Sequence, residues 1–282
     1  MLQPRDRFFV TPEWLAEHLN APDVVTVDAS WHMPASGRSG EKEYLAEHIP
    51  GAVFFDIDAH ADKSTDLPHM LPRPEAFASA MRKLGIGDGQ KIVVYDSVGL
   101  FSAPRVWWTF KTFGAADVVI LDGGLPAWKA LGLPLTDGPV RRSEKHFTAR
   151  LDNSAVKDFE SLSAAIGSSL LQIVDARSTG RFVGAEPEPR PGLKSGHMPG
   201  AVSLPFGELI VDGRLKQADA IRAHFKAKGV SLEKPIVTTC GSGVSAAILT
   251  LALTYAGAVQ VALYDGSWSE WGGHPDALVV SG

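Results

Sequence analysis

Cysteine is almost absent from this sequence: Cys240 is the only one in 282 residues. A single thiol excludes an internal disulfide framework and any metal site built from several cysteines. It suits a reducing compartment, so a cytoplasmic protein is expected. Long apolar runs are missing too, and none approaches the roughly 20 residues that span a bilayer. The N-terminal MLQPRDRFFVTPEW has neither the apolar stretch of a secretion signal nor the Arg/Ser-rich pattern of a transit peptide. Basic charge is not in excess, with 27 Lys and Arg against 32 Asp and Glu and a net charge of −5. Such a chain offers no bulk attraction to nucleic acid or an anionic membrane, so an anionic ligand must be drawn by local arginines. No spacing of His, Asp or Glu suggests a metal site, and no glycine-rich phosphate loop precedes a Lys-Ser/Thr pair. No metal or cofactor is expected.

What is present is a soluble, globular composition, 45% apolar and 21% charged, in a chain long enough for two domains. The halves repeat each other. VTVDAS around Asp28 answers QIVDAR around Asp175, and EHIPGAV from Glu47 answers GHMPGAV from Gly196. KIVVYD ending at Asp96 answers PIVTTC ending at Cys240, and LDGGLPAW ending at Trp128 answers YDGSWSEW ending at Trp271. Four matches in one order, each about 145 residues apart, indicate a duplicated domain rather than a short solenoid unit.

Within each half, short apolar runs alternate with helical patterns. VVTVDA, KIVVYD and DVVILDG in the first half, and LLQIVDA, PIVTTC and VQVALYDG in the second, read as buried strands. Helices are expected from Pro12 to Leu19 behind a Thr11 cap, and across Phe77, Met81 and Leu84 with Gly85 as the stop. Two more are expected at Ala218–Lys228 and Val244–Ala256. Alternation of this kind gives an α/β fold, two mainly parallel sheets flanked by helices. Polar TDGPVRRSEKHFTARLDNS is the linker candidate, dividing the chain into 1–138, a linker at 139–153, and 154–282.

PIVTTCGSGVSAAILTLAL carries the chemistry. A buried strand ends at Thr239, Cys240 follows, and Gly241, Ser242 and Gly243 lead into an apolar helix. Ligands of open α/β sheets gather at the carboxyl ends of strands. The glycines let backbone N–H groups turn inward, and the helix N-terminus adds partial positive charge. Such a nest stabilises a thiolate, the form of cysteine that attacks, and would equally stabilise a persulfide. A packed core has no use for that density of glycine. The first half holds Asp96 at the equivalent point, a carboxylate that cannot carry sulfur.

Nearly end to end, the chain resembles the 3-mercaptopyruvate sulfurtransferases, relatives of thiosulfate sulfurtransferase (rhodanese). CGSGVS is similar to that family's CGSGVT, with Ser245 keeping the threonine's hydroxyl, and HIPGAVFFDID, HMLPRP, FSAPRVWW, GHMPGAV and YDGSWSEWG also look like family signatures. The resemblance implies two tandem rhodanese-like domains, each with a mainly parallel five-stranded sheet, the first catalytically silent and the second bearing the persulfide on Cys240. It implies a sulfur donor, 3-mercaptopyruvate, and a thiol acceptor such as a thioredoxin-like protein, or cyanide in an assay. It further implies that Arg181 and Arg190 bind the donor, as planar guanidinium forks suit a carboxylate. Backbone amides from Gly241 to Ala246, those of Gly243, Val244 and Ser245 among them, would hold the sulfur anions. Ser242, His69 and Asp58 match a proposed proton relay, and Glu188 is placed as the group holding Arg190.

Three other readings fit the sequence less well. Thiosulfate sulfurtransferases tend to carry basic residues directly after the cysteine, where this chain has neutral Gly241, Ser242 and Gly243. A phosphatase of the same fold needs an arginine closing the loop, where Ser245 and Ala246 stand. A persulfide carrier without its own donor would not need Arg181 and Arg190. His48 and His197 precede Pro-Gly turns in both halves and read as structural, and a monomer is the simplest expectation for the assembly.

Overall fold

The computed structural model describes residues 4–168 and 170–282. In the first half β1 (Phe9–Val10), β2 (Val24–Asp28), β3 (Val53–Phe54), β4 (Lys91–Tyr95) and β5 (Val118–Leu121) form one sheet in the order β1-β5-β4-β2-β3. Every pairing in it is parallel. Helices α1 (Pro12–His18), α2 (Gly40–Ala46), α3 (Pro74–Lys83), α4 (Ala103–Thr112) and α5 (Gly124–Ala130) connect the strands. Thr11 caps α1 as its sequence suggests, its hydroxyl accepting from Trp14 N–H at 3.2 Å. Gly85, just past α3, takes a φ of +71°, a left-handed stop that glycine reaches without a Cβ penalty.

The second half repeats the arrangement with β6 (Val156–Lys157), β7 (Gln172–Asp175), β8 (Val202–Ser203), β11 (Ile236–Thr239) and β12 (Val261–Tyr264), ordered β6-β12-β11-β7-β8 and again all parallel. A small antiparallel hairpin, β9 (Ile210–Val211) with β10 (Arg214–Leu215), is an addition. The helices are α6 (Phe159–Ala165), α7 (Thr179–Phe182), α8 (Ala218–Ala227), α9 (Ala246–Tyr255) and α10 (Ser267–Trp271). Central strands are buried along nearly all of their length, which is why they read as apolar runs rather than as alternating patterns. Two-residue edge strands such as β1 and β6 lack the length to leave any periodic signal.

Helices α4 and α9 hold equivalent places in the repeats and pack against each other across the domain boundary. Both are buried on nearly every face, and one continuous apolar cluster runs from the first domain through them into the second. The stretch 139–152 is irregular and lies along the first domain: Arg150 N–H donates to the Phe113 carbonyl, Asp152 N–H to that of Thr112, and Phe147 enters the core beside Phe77.

Candidate active site

Cys240 stands one residue past the end of β11, the middle strand of the second sheet. The chain then turns through Gly241–Ser245 into α9. Gly243 adopts a φ of +79°, and its N–H points at Cys240 Sγ from 3.1 Å. The base of the loop is tied down within its own domain. Ser267 Oγ accepts from Cys240 N–H at 3.3 Å, and Trp268 N–H donates to the Cys240 carbonyl at 2.9 Å. The Gly241 carbonyl accepts from both the N–H and the hydroxyl of Ser269, at 2.9 and 2.7 Å. An amide aimed at sulfur, close to the start of a helix, favours negative charge on Sγ.

The thiol is only 2% exposed and opens into a small cavity of about 40 Å³. Gly241, Ser242, Val244 and Ser245 line it from the loop, and Arg181 and Arg190 line it from the segment after β7. Trp31, Met33 and Phe101 of the first domain close the remaining side. Arg181 approaches so tightly that a Cβ on Gly241 would lie 3.0 Å from its Nη2. Glu188 does not hold Arg190, contrary to the sequence expectation. Its carboxylate pairs with Arg177 at 2.7 Å and, more closely still, with Arg181. The buried Asp175–Arg177 pair, 2.7 Å apart, draws Glu188 toward the strand end. Arg190, two residues on, is left facing the cavity with no carboxylate in ion-pair range among the described residues. Burial lowers the pKa of its guanidinium, while the nearby charge of Cys240 opposes that shift.

His69, Asp58 and Ser242 do meet across the domain boundary, in a different order of atoms from a hydroxyl-linked relay. His69 Nε2 lies 3.1 Å from Asp58 Oδ1, and Nδ1 lies 3.1 Å from the backbone carbonyl of Ser242, not from its side chain. Trp31 donates from Nε1 to Asp58 Oδ2 at 2.9 Å and meets the His69 ring edge-on at 4.9 Å. The hydrogen bond from His69 holds the Asp58 carboxyl below its usual pKa. His48 and His197 serve structure: each directs Nδ1 to a backbone carbonyl, of Tyr44 and Phe182, within buried surroundings.

Sequence reasoning missed Trp31, Met33, Phe101, Arg105 and Asp265. Only Arg105 leaves a local signal, as a lone cation within the apolar run FSAPRVWW. The other four acquire their places from how the two halves dock.

The rhodanese-like domain model matches residues 11–131 and 158–274, and the chain belongs to that family. Two such domains in tandem, with one cysteine loop, define the class. Within it the chain is similar to the 3-mercaptopyruvate sulfurtransferase of Escherichia coli (strain K12), 47% identical over 96% of this chain and 97% of that protein. It is 42% identical to the thiosulfate sulfurtransferase of Bos taurus, over 94% of this chain and 92% of that one. Among solved structures it superimposes on SseA, a 3-mercaptopyruvate sulfotransferase of Escherichia coli, with a TM-score of 0.86 and 46% identity, covering 93% of this chain and 99% of that one.

Proposed function

We propose that the chain is a 3-mercaptopyruvate sulfurtransferase, with 154–282 as the catalytic half and 1–138 as a half that performs no chemistry. One observation carries the reading: a buried thiol with an amide aimed at its sulfur shares a small cavity with two arginines. The Cys240 thiolate attacks the donor's sulfur. As the new S–S bond forms, the C–S bond breaks and its electron pair passes into the enolate of pyruvate, which takes up a proton. Arg181 and Arg190 bind the carboxylate and the developing enolate oxygen. Amides of Gly243, Val244 and Ser245 stabilise the sulfur anions, and Gly241 gives Arg181 room.

The resulting persulfide passes its outer sulfur to a thiol acceptor, such as that of a thioredoxin-like protein, or to cyanide in an assay. Ser242 supplies a hydroxyl in the same cavity. A proton route from it to His69 and Asp58 needs a rotation of that side chain or a bridging water, since the resting contact is through the carbonyl. A monomer working in the cytoplasm fits a single thiol that must stay reduced.

Thiosulfate transfer is the rival, favoured by the likeness to the bovine protein. The neutral Gly-Ser-Gly after the cysteine and the single-carboxylate fork support mercaptopyruvate instead. Steady-state turnover with each donor separates them: kcat/KM should be at least about tenfold higher for mercaptopyruvate, a difference of ~1.4 kcal/mol in transition-state binding. A preference for thiosulfate would reverse the assignment.

A further inference from the structure

The four peptide carbonyls at the start of the reactive loop divide between the two domains. Those of Cys240 and Gly241 are held by α10 of their own domain. Those of Ser242 and Gly243 are held by side chains from the other half: His69 on Ser242 at 3.1 Å, and Arg105 Nη1 on Gly243 at a long 3.5 Å. The Ser242 carbonyl and the Gly243 N–H belong to one planar trans peptide, so they point in opposite directions. His69 grips one end of that peptide while the other end faces Cys240 Sγ at 3.1 Å.

Arg105 fixes both parts of this arrangement. It is 2% exposed, and its Nη2 donates to the backbone carbonyl of His69 and to Asp265 Oδ1, the latter at 2.7 Å. Asp265 lies in the second domain and accepts Leu71 N–H on its other oxygen at 2.7 Å, close in sequence to His69. The guanidinium sits over the Trp108 ring at 4.5 Å, and a Cβ on Gly243 would meet its Nη1 at 2.7 Å. His69 itself is held at a φ of +64°, a conformation that needs such support in a non-glycine residue.

We propose that Arg105 is a positioning residue for sulfur transfer: from the half without a cysteine, it holds His69 and Gly243 so that the peptide between Ser242 and Gly243 aims its N–H at the reacting sulfur. This rests on Cys240 being the sulfur carrier. The test compares Arg105→Met with the double variant Arg105→Met/Asp265→Asn, which removes the stranded buried carboxylate yet keeps an acceptor for Leu71 N–H. Three quantities are read well below melting: thermal stability, steady-state kinetics with mercaptopyruvate, and the rate of Cys240 alkylation by iodoacetamide at fixed pH.

Arg105→Met should melt earlier, lose about tenfold or more in kcat with KM little changed, and alkylate more slowly. The double variant should regain most of the lost stability while kcat and alkylation stay low. Should Arg105→Met not fold, the double variant alone gives the same reading. Recovery of rate together with stability, or a parental alkylation rate in either variant, would show that Arg105 serves only to hold the domains together. Alkylation needs no sulfur donor, so a parent protein inert toward mercaptopyruvate would sink the proposed function and leave this comparison intact.

Discussion

Residues that look alike in the two halves do different chemistry because of a neighbour two positions on. Asp175 is paired with Arg177, whereas Asp28 has Ser30 at that place and receives its N–H at 2.8 Å. With no cation paired to it among the described residues, burial pushes the Asp28 carboxyl up to about 6. Its folded pKa lies above the usual aspartate value of about 4, so the native state holds the proton more tightly, and the penalty for ionising it grows as pH rises between the two values. Asp28→Asn should therefore gain on the parent by roughly 2–3 kcal/mol between pH 4 and pH 7 in urea unfolding. A pH-independent difference would remove the assignment. The two arginines of the cavity also separate. Arg190 forms no ion pair among the described residues, so Arg190→Ala should raise KM for mercaptopyruvate at least about tenfold with little loss of stability. Arg181→Ala strips a partner from Glu188, whose side chain is buried, and should cost stability as well. Unchanged KM in both variants would remove the carboxylate fork.

At the scale of elements, the loop after β4 and the loop after β11 are two versions of one nest. In the first, the Asp96 carboxylate fills the nest itself, accepting from the N–H groups of Val98, Phe101, Ser102 and Ala103 at 2.7 to 3.0 Å. In the second, the Gly243 N–H faces Cys240 Sγ at 3.1 Å. The Asp96 loop still serves the site, because Phe101 lines the cavity and Ser102 Oγ accepts from Trp31 N–H at 3.1 Å. Asp96→Ala would orphan several buried donors, and should destabilise the protein by about 3 kcal/mol and raise KM. Chemical denaturation with parallel kinetics reads both, and an unaffected KM would uncouple the loop from the cavity. The nest was legible in the sequence because everything that makes it is local: an apolar strand, a cysteine, glycines where the chain must turn, a helix. The α9 boundary was less so. Val244 and Ser245 read as helix but belong to the turn, so the helix begins at Ala246. The partner of Glu188 was misjudged because a loop's curvature, not its spacing, decides which arginine it meets.

For the whole molecule, duplication provides a second nest, filled by the Asp96 carboxylate. Its helix α4 mirrors α9, and the two bury each other along one apolar cluster, which sets the first domain's Trp31, His69 and Arg105 against the second domain's loop. Beyond the meeting of His69 with Ser242 that the family resemblance implies, no pattern within either half foretells those contacts, since they depend on how two folded surfaces dock. The proposed reaction needs from this docking a closed cavity in which Cys240 Sγ faces the Gly243 N–H and the guanidinium groups of Arg181 and Arg190. Intact-protein mass spectrometry after brief exposure to 3-mercaptopyruvate tests that directly. The expected result is a gain of about one sulfur atom that disappears on adding a thiol acceptor and is absent from Cys240→Ser. An unchanged mass in the parent, or the same gain in Cys240→Ser, would contradict it.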